Sequence, residues 1–218
     1  MKENYEIRAL PYEQAVPWFL YKHYARRVPS ITWAFGLYRE KVLLGVVSYG
    51  TPASSTLLTG VCGPEHADKV IELNRLVVED GVEKNTASLL VGKSIRLLPK
   101  PKIIVSYADS GQGHVGKVYQ ACNFVYTGLS TPFTDPRVKG LEHQHHATYA
   151  HGMSNEELLA KYGDDLYFVD RARKHRYIYF VGCSELRSQL KYEEMPYPKG
   201  ESVRYDAGPE LPKQTLLF

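Results

Sequence analysis

The chain has 218 residues, with 27 Lys and Arg against 24 Asp and Glu for a formal net charge of +3. That suits one large domain, or one domain with an elaborate tail, and is too mildly basic to single out a nucleic-acid partner by itself. The three scattered cysteines (Cys62, Cys122, Cys183) form no CxxC pair, Met1–Glu6 holds no apolar signal core, and no apolar run nears the roughly 20 residues of a membrane span, so a thiolate zinc site and a membrane role are disfavoured and a cytoplasmic setting with reduced thiols is expected.

In chain order, Tyr5–Leu10 reads as a first strand. Tyr12 to about Arg26 reads as a helix, with Val16, Leu20 and Tyr24 on one stripe and Pro17 in its early turns. Ala34–Tyr38 and Val42–Tyr49 read as two strands about a turn at Arg39-Glu40-Lys41, followed by a polar loop, Gly50–Ser55, placed to line a pocket. Val70–Val78 is the next strand. The spacing of Val91, Ile95 and Leu98 predicts a helix from the capping-type residues Asn85–Ser88 to Leu98, stopped by Pro99 and Pro101.

Ile103–Asp109 is apolar on both faces in its first half, as a strand covered on both sides must be. A Gly-rich turn and a short helix carrying Tyr119 follow, and then a strand, Val125–Gly128. Ligands of open α/β sheets gather at the carboxyl ends of strands. Asp109 and Tyr119 therefore aim an acid and a phenol at one end of the sheet.

Alternation of strand and helix predicts parallel pairing between the strands that flank each helix, in a mixed sheet with helices on both faces. Beyond about Thr131 the chain turns polar and His-rich. Asn155–Tyr162 reads as a short helix, and Leu166–Val169 with Arg176–Val181 as a β-hairpin. The last 20 residues read as extended or loosely docked. The expected division is residues 1–130 as a catalytic core and 131–218 as an extension packed on it within the same domain.

The stretch from Glu72 to Leu98, with Tyr119 and Asn123-Phe124 beyond it, resembles the core of a GNAT acetyltransferase. More narrowly, the chain resembles the Mom family of bacteriophage DNA-modification proteins. The matching segments are His23-Tyr24, Leu73–Leu76, Lys84–Ser88, Ser106–Asp109, Gly113-His114 with Gly116, Tyr119–Ala121 and Lys174–Tyr177. The resemblance implies a transferase that converts adenine in DNA to an N6-carbamoylmethyl derivative and so protects phage DNA from restriction. It also implies iron, held by His23, Tyr24 and Asp109. Catalytic roles fall on Arg75, Ser88, Asp109 and Tyr119, with Arg75 and Ser88 binding a group donor that is not identified.

Acetyltransferases hold the coenzyme A pyrophosphate on the bare amides of a glycine-containing loop. The loop here is Glu83-Lys84-Asn85-Thr86-Ala87-Ser88, without glycine, which counts against acetyl-CoA.

Each residue also has a plainer reading. His23 and Tyr24 fit a surface histidine beside a core tyrosine, late in the first helix. As metal ligands with Asp109 they would form a hard N and O set that suits iron. Arg75, inside an apolar strand, is either salt-bridged to Asp109 or Glu72, or a clamp for an anion or substrate. Ser88 fits a first-turn helix residue, and Tyr119 is one of 17 tyrosines, although its phenol could return a proton to a leaving group. His114 is second in rank. His143 and His145 share one face if extended, a metal-ligand spacing as well as an ordinary polar loop.

Arg171, Arg173, Lys174 and Arg176 form the densest basic cluster, either a solvated hairpin tip or a grip on DNA phosphate. Double-stranded DNA is the expected partner, its target base flipped out, and a homodimer stays open. The competing readings are an acyl-CoA-dependent N-acyltransferase and a non-catalytic DNA-binding accessory protein.

Overall fold

The computed structural model describes residues 5–144 and 146–201. The strands are β1 (Glu6–Ala9), β2 (Trp33–Arg39), β3 (Val42–Gly50), β4 (Val70–Val78), β5 (Lys102–Asp109), β6 (Val125–Leu129), β7 (Thr134–Val138), β8 (Leu166–Asp170) and β9 (Lys174–Val181). The helices are α1 (Tyr12–Tyr21), α2 (Ser55–Gly60), α3 (Thr86–Leu97), α4 (Lys117–Ala121), α5 (Ala147–Ala150) and α6 (Asn155–Tyr162). Strands β3 and β4, helix α3 and helix α6 fall where patterning predicts them.

The described residues form two compact units, one made of the chain up to residue 129 and from 174 onward, the other of residues 130–173. The first holds a seven-stranded sheet in the order β1-β2-β3-β4-β5-β9-β6; the second holds a ribbon of β7 and β8. The fold is mixed α/β, and among the described residues only β4 and β5 pair in parallel. Helices cover both faces. On one, Val91 and Ile95 of α3 and Tyr119 of α4 meet Leu37, Val47, Leu73 and Ile104. On the other, Trp18 and Phe19 of α1 meet Ala34 and Val46, while Leu57 of α2 meets Ile103, Val105 and Ile178.

Three expectations are corrected. The predicted hairpin of 166–169 with 176–181 does not form. β8 pairs with β7 instead, from Thr134↔Asp170 to Val138↔Leu166. β9 enters the main sheet between β5 and β6, so these two strands flank α4 without touching. The expected extension over 131–218 thus supplies a central strand of the core. The reason is burial: Tyr177 and Ile178 are fully buried, and a two-stranded hairpin alone leaves such side chains wet.

The first helix also stops short. Its expected end was near Arg26, but α1 closes at Tyr21. The His23 ring takes the Ala25 N–H at 3.0 Å, a local bond that competes with helix continuation. Arg26 then adopts φ +50° and returns its guanidinium to the Tyr21 carbonyl at 2.7 Å, satisfying a helix-end acceptor. His23 and Tyr24 therefore lie in a turn beyond the helix.

What positions the site is the ladder between β4 and β5. It runs only from Val70↔Ile103 to Leu73↔Ser106, and the Ser106 hydroxyl donates to the Leu73 carbonyl at 3.0 Å at its end. β4 continues along β3 as far as Gly45↔Val78. β5 continues along β9 as far as Asp109↔Lys174. Each strand follows its antiparallel neighbour, and a wedge opens between them. Gly116 locks the far wall: it sits at φ +77°, and a Cβ there would meet Tyr177 Cε2 at 2.4 Å. The Tyr177 hydroxyl donates to the Val115 carbonyl at 2.6 Å.

The central position of β9 has a measurable consequence. Ile178→Ala is expected to lower unfolding free energy by about 2–5 kcal/mol in urea denaturation, the range for truncating a core isoleucine. A change below about 0.5 kcal/mol, typical of surface positions, would contradict the insertion.

Candidate active site

The wedge is a cleft of about 560 Å³. One wall is the diverging half of β4, Asn74 to Val78. The other carries Tyr107, Ala108, His114 and Tyr119, and His23, Tyr24, Lys174 and the start of α3 complete the lining. Of the sequence-predicted site residues, His23, Tyr24, Arg75, Tyr119 and Lys174 converge here. Ser88 does not. It lines a separate hollow with Cys122 and Asn123, and its hydroxyl donates back to the Asn85 carbonyl at 2.9 Å. The expected pocket loop over 50–55 does not line the cleft either, although the Ala53 backbone N–H favours the charged form of Glu72, which does.

Asp109 is close but set back. Its carboxylate accepts the Gly111 N–H at 3.0 Å, lies 3.7 Å from the Lys174 ammonium and accepts the Tyr24 phenol. It is not part of the cleft lining, whereas Tyr24 and Lys174 are. Burial and the Asp109 charge raise the Tyr24 pKa well above that of an ordinary phenol, so Tyr24 is protonated at neutral pH. Its ring stacks on His23 with centroids 4.3 Å apart and meets His114 edge-on at 5.9 Å.

The donor chemistry of this cluster does not fit an iron centre. His23 uses Nδ1 to accept the Ala25 N–H. Burial, with Arg75 and His114 nearby, holds its pKa well below the usual imidazole value, so the ring is neutral and carries its proton on Nε2. A metal would need a nitrogen lone pair, and the one on Nδ1 is taken by the Ala25 N–H. The Tyr24 proton is committed to Asp109, and the Lys174 ammonium already faces that carboxylate. Among the described residues no group of three His, Cys, Asp or Glu side chains is placed to share an ion. His145, half of the other proposed pair, lies outside the described residues, as do residues 202–218 of the expected loose tail.

Arg75 makes neither of the salt bridges expected of it among the described residues. It donates to the Asn74 carbonyl at 2.6 Å, and its buried Nε has no hydrogen-bond partner. Desolvation lowers its pKa, and a guanidinium left with a donor free on a cleft wall is suited to a ligand's oxygen. Tyr119 is buried between Phe124 and Tyr177, with ring centroids at 5.4 and 5.3 Å. Burial pushes its pKa up to about 12, offset in part by a hydrogen bond with Ser106.

The basic cluster does not act as one hairpin tip. Arg171 is paired in a fork with Asp135, and Arg173 Nε donates to the Ser130 carbonyl at 2.6 Å. Arg176 bonds Thr127 Oγ1 at 2.8 Å and its carbonyl at 3.1 Å, and stacks 3.4 Å from the Tyr192 ring centre. Lys174 faces the cleft.

Sequence reasoning missed Lys174 as a cleft residue, because it read β9 as part of a surface hairpin. It also passed over Glu72 except as a partner for Arg75. The available signal was an acid inside the otherwise apolar Val70–Leu73 run.

Replacing Asp109 by Asn removes a negative charge that opposes Tyr24 ionisation. The Tyr24 pKa is expected to fall toward the ordinary value of 10.0, read by carbon-13 NMR titration of ring-labelled tyrosine. An unmoved Tyr24 would contradict the contact.

A model of the Mom protein family matches residues 4–199. Methylcarbamoylase mom of Escherichia phage Mu is 32% identical over 112 residues, which cover 49% of this chain and 46% of that protein; the match spans about half the length of each. Among solved structures, an N-acetyltransferase from Staphylococcus aureus aligns at 14% identity and TM-score 0.44, over 82% of this chain and 99% of the other. An aminoglycoside N(6')acetyltransferase from Legionella pneumophila aligns at 10% identity and TM-score 0.46, over 87% and 98%. The family match runs through the β4–β5 wedge and every residue placed in it, and on that match the chain belongs to the Mom protein family.

Proposed function

We propose that this chain is a transferase that modifies adenine in DNA, converting the N6 amine to a carbamoylmethyl derivative and so protecting the DNA from restriction endonucleases. Family membership supports the reading, as does the relative from phage Mu, whose name is that of a methylcarbamoylase. The observation that carries it is the convergence of Tyr24, Arg75, Tyr119 and Lys174 in one cleft at the open end of the β4–β5 pair.

The chemistry sets three demands. The exocyclic amine must reach the donor carbon, the amine must lose a proton, and the leaving group must be stabilised as it departs. A base stacked in a duplex cannot enter a wedge within a sheet, so double-stranded DNA would be bound with the target adenine flipped out. Tyr119 stays protonated at neutral pH and so holds a proton to give the leaving group. Arg75 has a free donor to fix the carbonyl of the group transferred. Asp109 acts from behind, orienting Tyr24 and Lys174. The glycine-free Lys84–Ser88 loop lends no support to coenzyme A as the carrier.

Nucleosides from the DNA of cells that express the protein should contain a carbamoylmethyl adenine by mass spectrometry. Tyr119→Phe should cut adduct yield by about 100-fold or more, the usual scale for losing a proton-transfer group, with the circular dichroism spectrum unchanged. Unmodified adenine in DNA exposed to the wild-type protein would sink the reading.

A further inference from the structure

An amine that forms a new bond to carbon needs a proton acceptor beside it. Asp109 is set behind Tyr24 and Lys174, outside the cleft lining. Glu83 lines the cleft but is paired with Arg39 at 3.2 Å. The two phenols, Tyr24 and Tyr119, hold their protons, and His23 spends its accepting nitrogen on the Ala25 N–H.

Glu72 is placed differently. It pairs with Val105 one step before the β4–β5 ladder ends, so its side chain stands where the wedge opens and lines the cleft. It makes no ion pair among the described residues. It accepts one backbone N–H, from Ala53, which anchors the carboxyl and leaves lone-pair sites open. Burial raises its pKa above the usual carboxyl value, against the opposing pull of the Ala53 bond and the Arg75 charge. That makes it a stronger base than a surface carboxylate.

We propose that Glu72 is the group that meets the exocyclic amine of the target adenine. It accepts a hydrogen bond from N6 in the bound state and takes the N6 proton as the N6–carbon bond forms. This rests on the adenine-modification reading above. The co-reactant is an electrophilic carbamoylmethyl donor. As the bond to its carbon forms, its bond to the leaving group breaks, and the leaving group keeps the electron pair and takes a proton from Tyr119. The Glu72 proton then passes to solvent, and the Tyr119 phenolate regains a proton from solvent. The contact also selects for a base that presents an exocyclic amine at this point, because a site built to accept an amine rejects a base that lacks it.

The test uses two duplexes whose adenines lie in one strand only, one with adenine and one with each of those adenines replaced by purine, which lacks the 6-amino group. Fluorescence anisotropy reports binding, and mass spectrometry of nucleosides from the DNA of cells that express each variant reports turnover. The wild-type protein should bind the adenine duplex about five- to tenfold more tightly, the scale of one hydrogen bond. Glu72→Ala should lose that preference while keeping its affinity for the purine duplex. Glu72→Gln still accepts a hydrogen bond but cannot take a proton; it should keep the preference and lose about 100-fold or more in adduct formation.

A wild-type protein with no preference, or Glu72→Gln turning over at the wild-type rate, overturns the assignment. So does loss of the preference in His114→Gln but not in Glu72→Ala. Adenine preference without any adduct leaves the contact standing and removes the modification reading. Adduct without preference does the reverse.

Discussion

The antiparallel ladder between β5 and β9 is the constraint on which the site depends. All eight residues of β5 find a partner in β9, from Lys102↔Val181 to Asp109↔Lys174. That pairing draws β5 away from β4 once their own short parallel ladder ends at Ser106. The backbone groups on the outer edge of each strand bond its antiparallel neighbour, and those that face the wedge line the cleft, where solvent or a ligand can meet them. The same ladder sets Lys174 against Asp109. The cleft and its charge arrangement thus come from one pairing choice.

Charge placement around Asp109 decides what the cluster can do. An acid that faces a backbone amide, a phenol and an ammonium has most of its acceptor capacity engaged. It holds Tyr24 and Lys174 in place rather than reaching a substrate itself. Positive charge from Arg75 and Lys174 also disfavours a further positive charge at His23. The cleft is better matched to ligands that bring oxygen atoms or partial negative charge.

Local pattern made much of the fold legible. The Val70–Val78 run, the 91-95-98 spacing and the apolar Ile103–Val105 strand each carry their own periodicity, and each element stands where that periodicity places it. The misreadings fell where a tertiary contact competed with local preference. His23 bends its own backbone by taking the Ala25 N–H, which no helical stripe reveals. β8 and β9, adjacent in sequence and joined by a polar basic turn, look like a hairpin until the burial of Tyr177 and Ile178 is counted.

By itself the sequence determined the mixed sheet, the strand that ends at Asp109, the helix that carries Tyr119 and the absence of glycine from the loop before α3, because each is written in residues next to one another. Only the tertiary structure decided that β9 lies between β5 and β6, that Asp109 stands behind the cleft rather than in it, and that Glu72 faces inward. Those depend on which strands pair and where a ladder stops. That is settled by burial and hydrogen-bond satisfaction summed across the sheet, and no local stretch of chain encodes it.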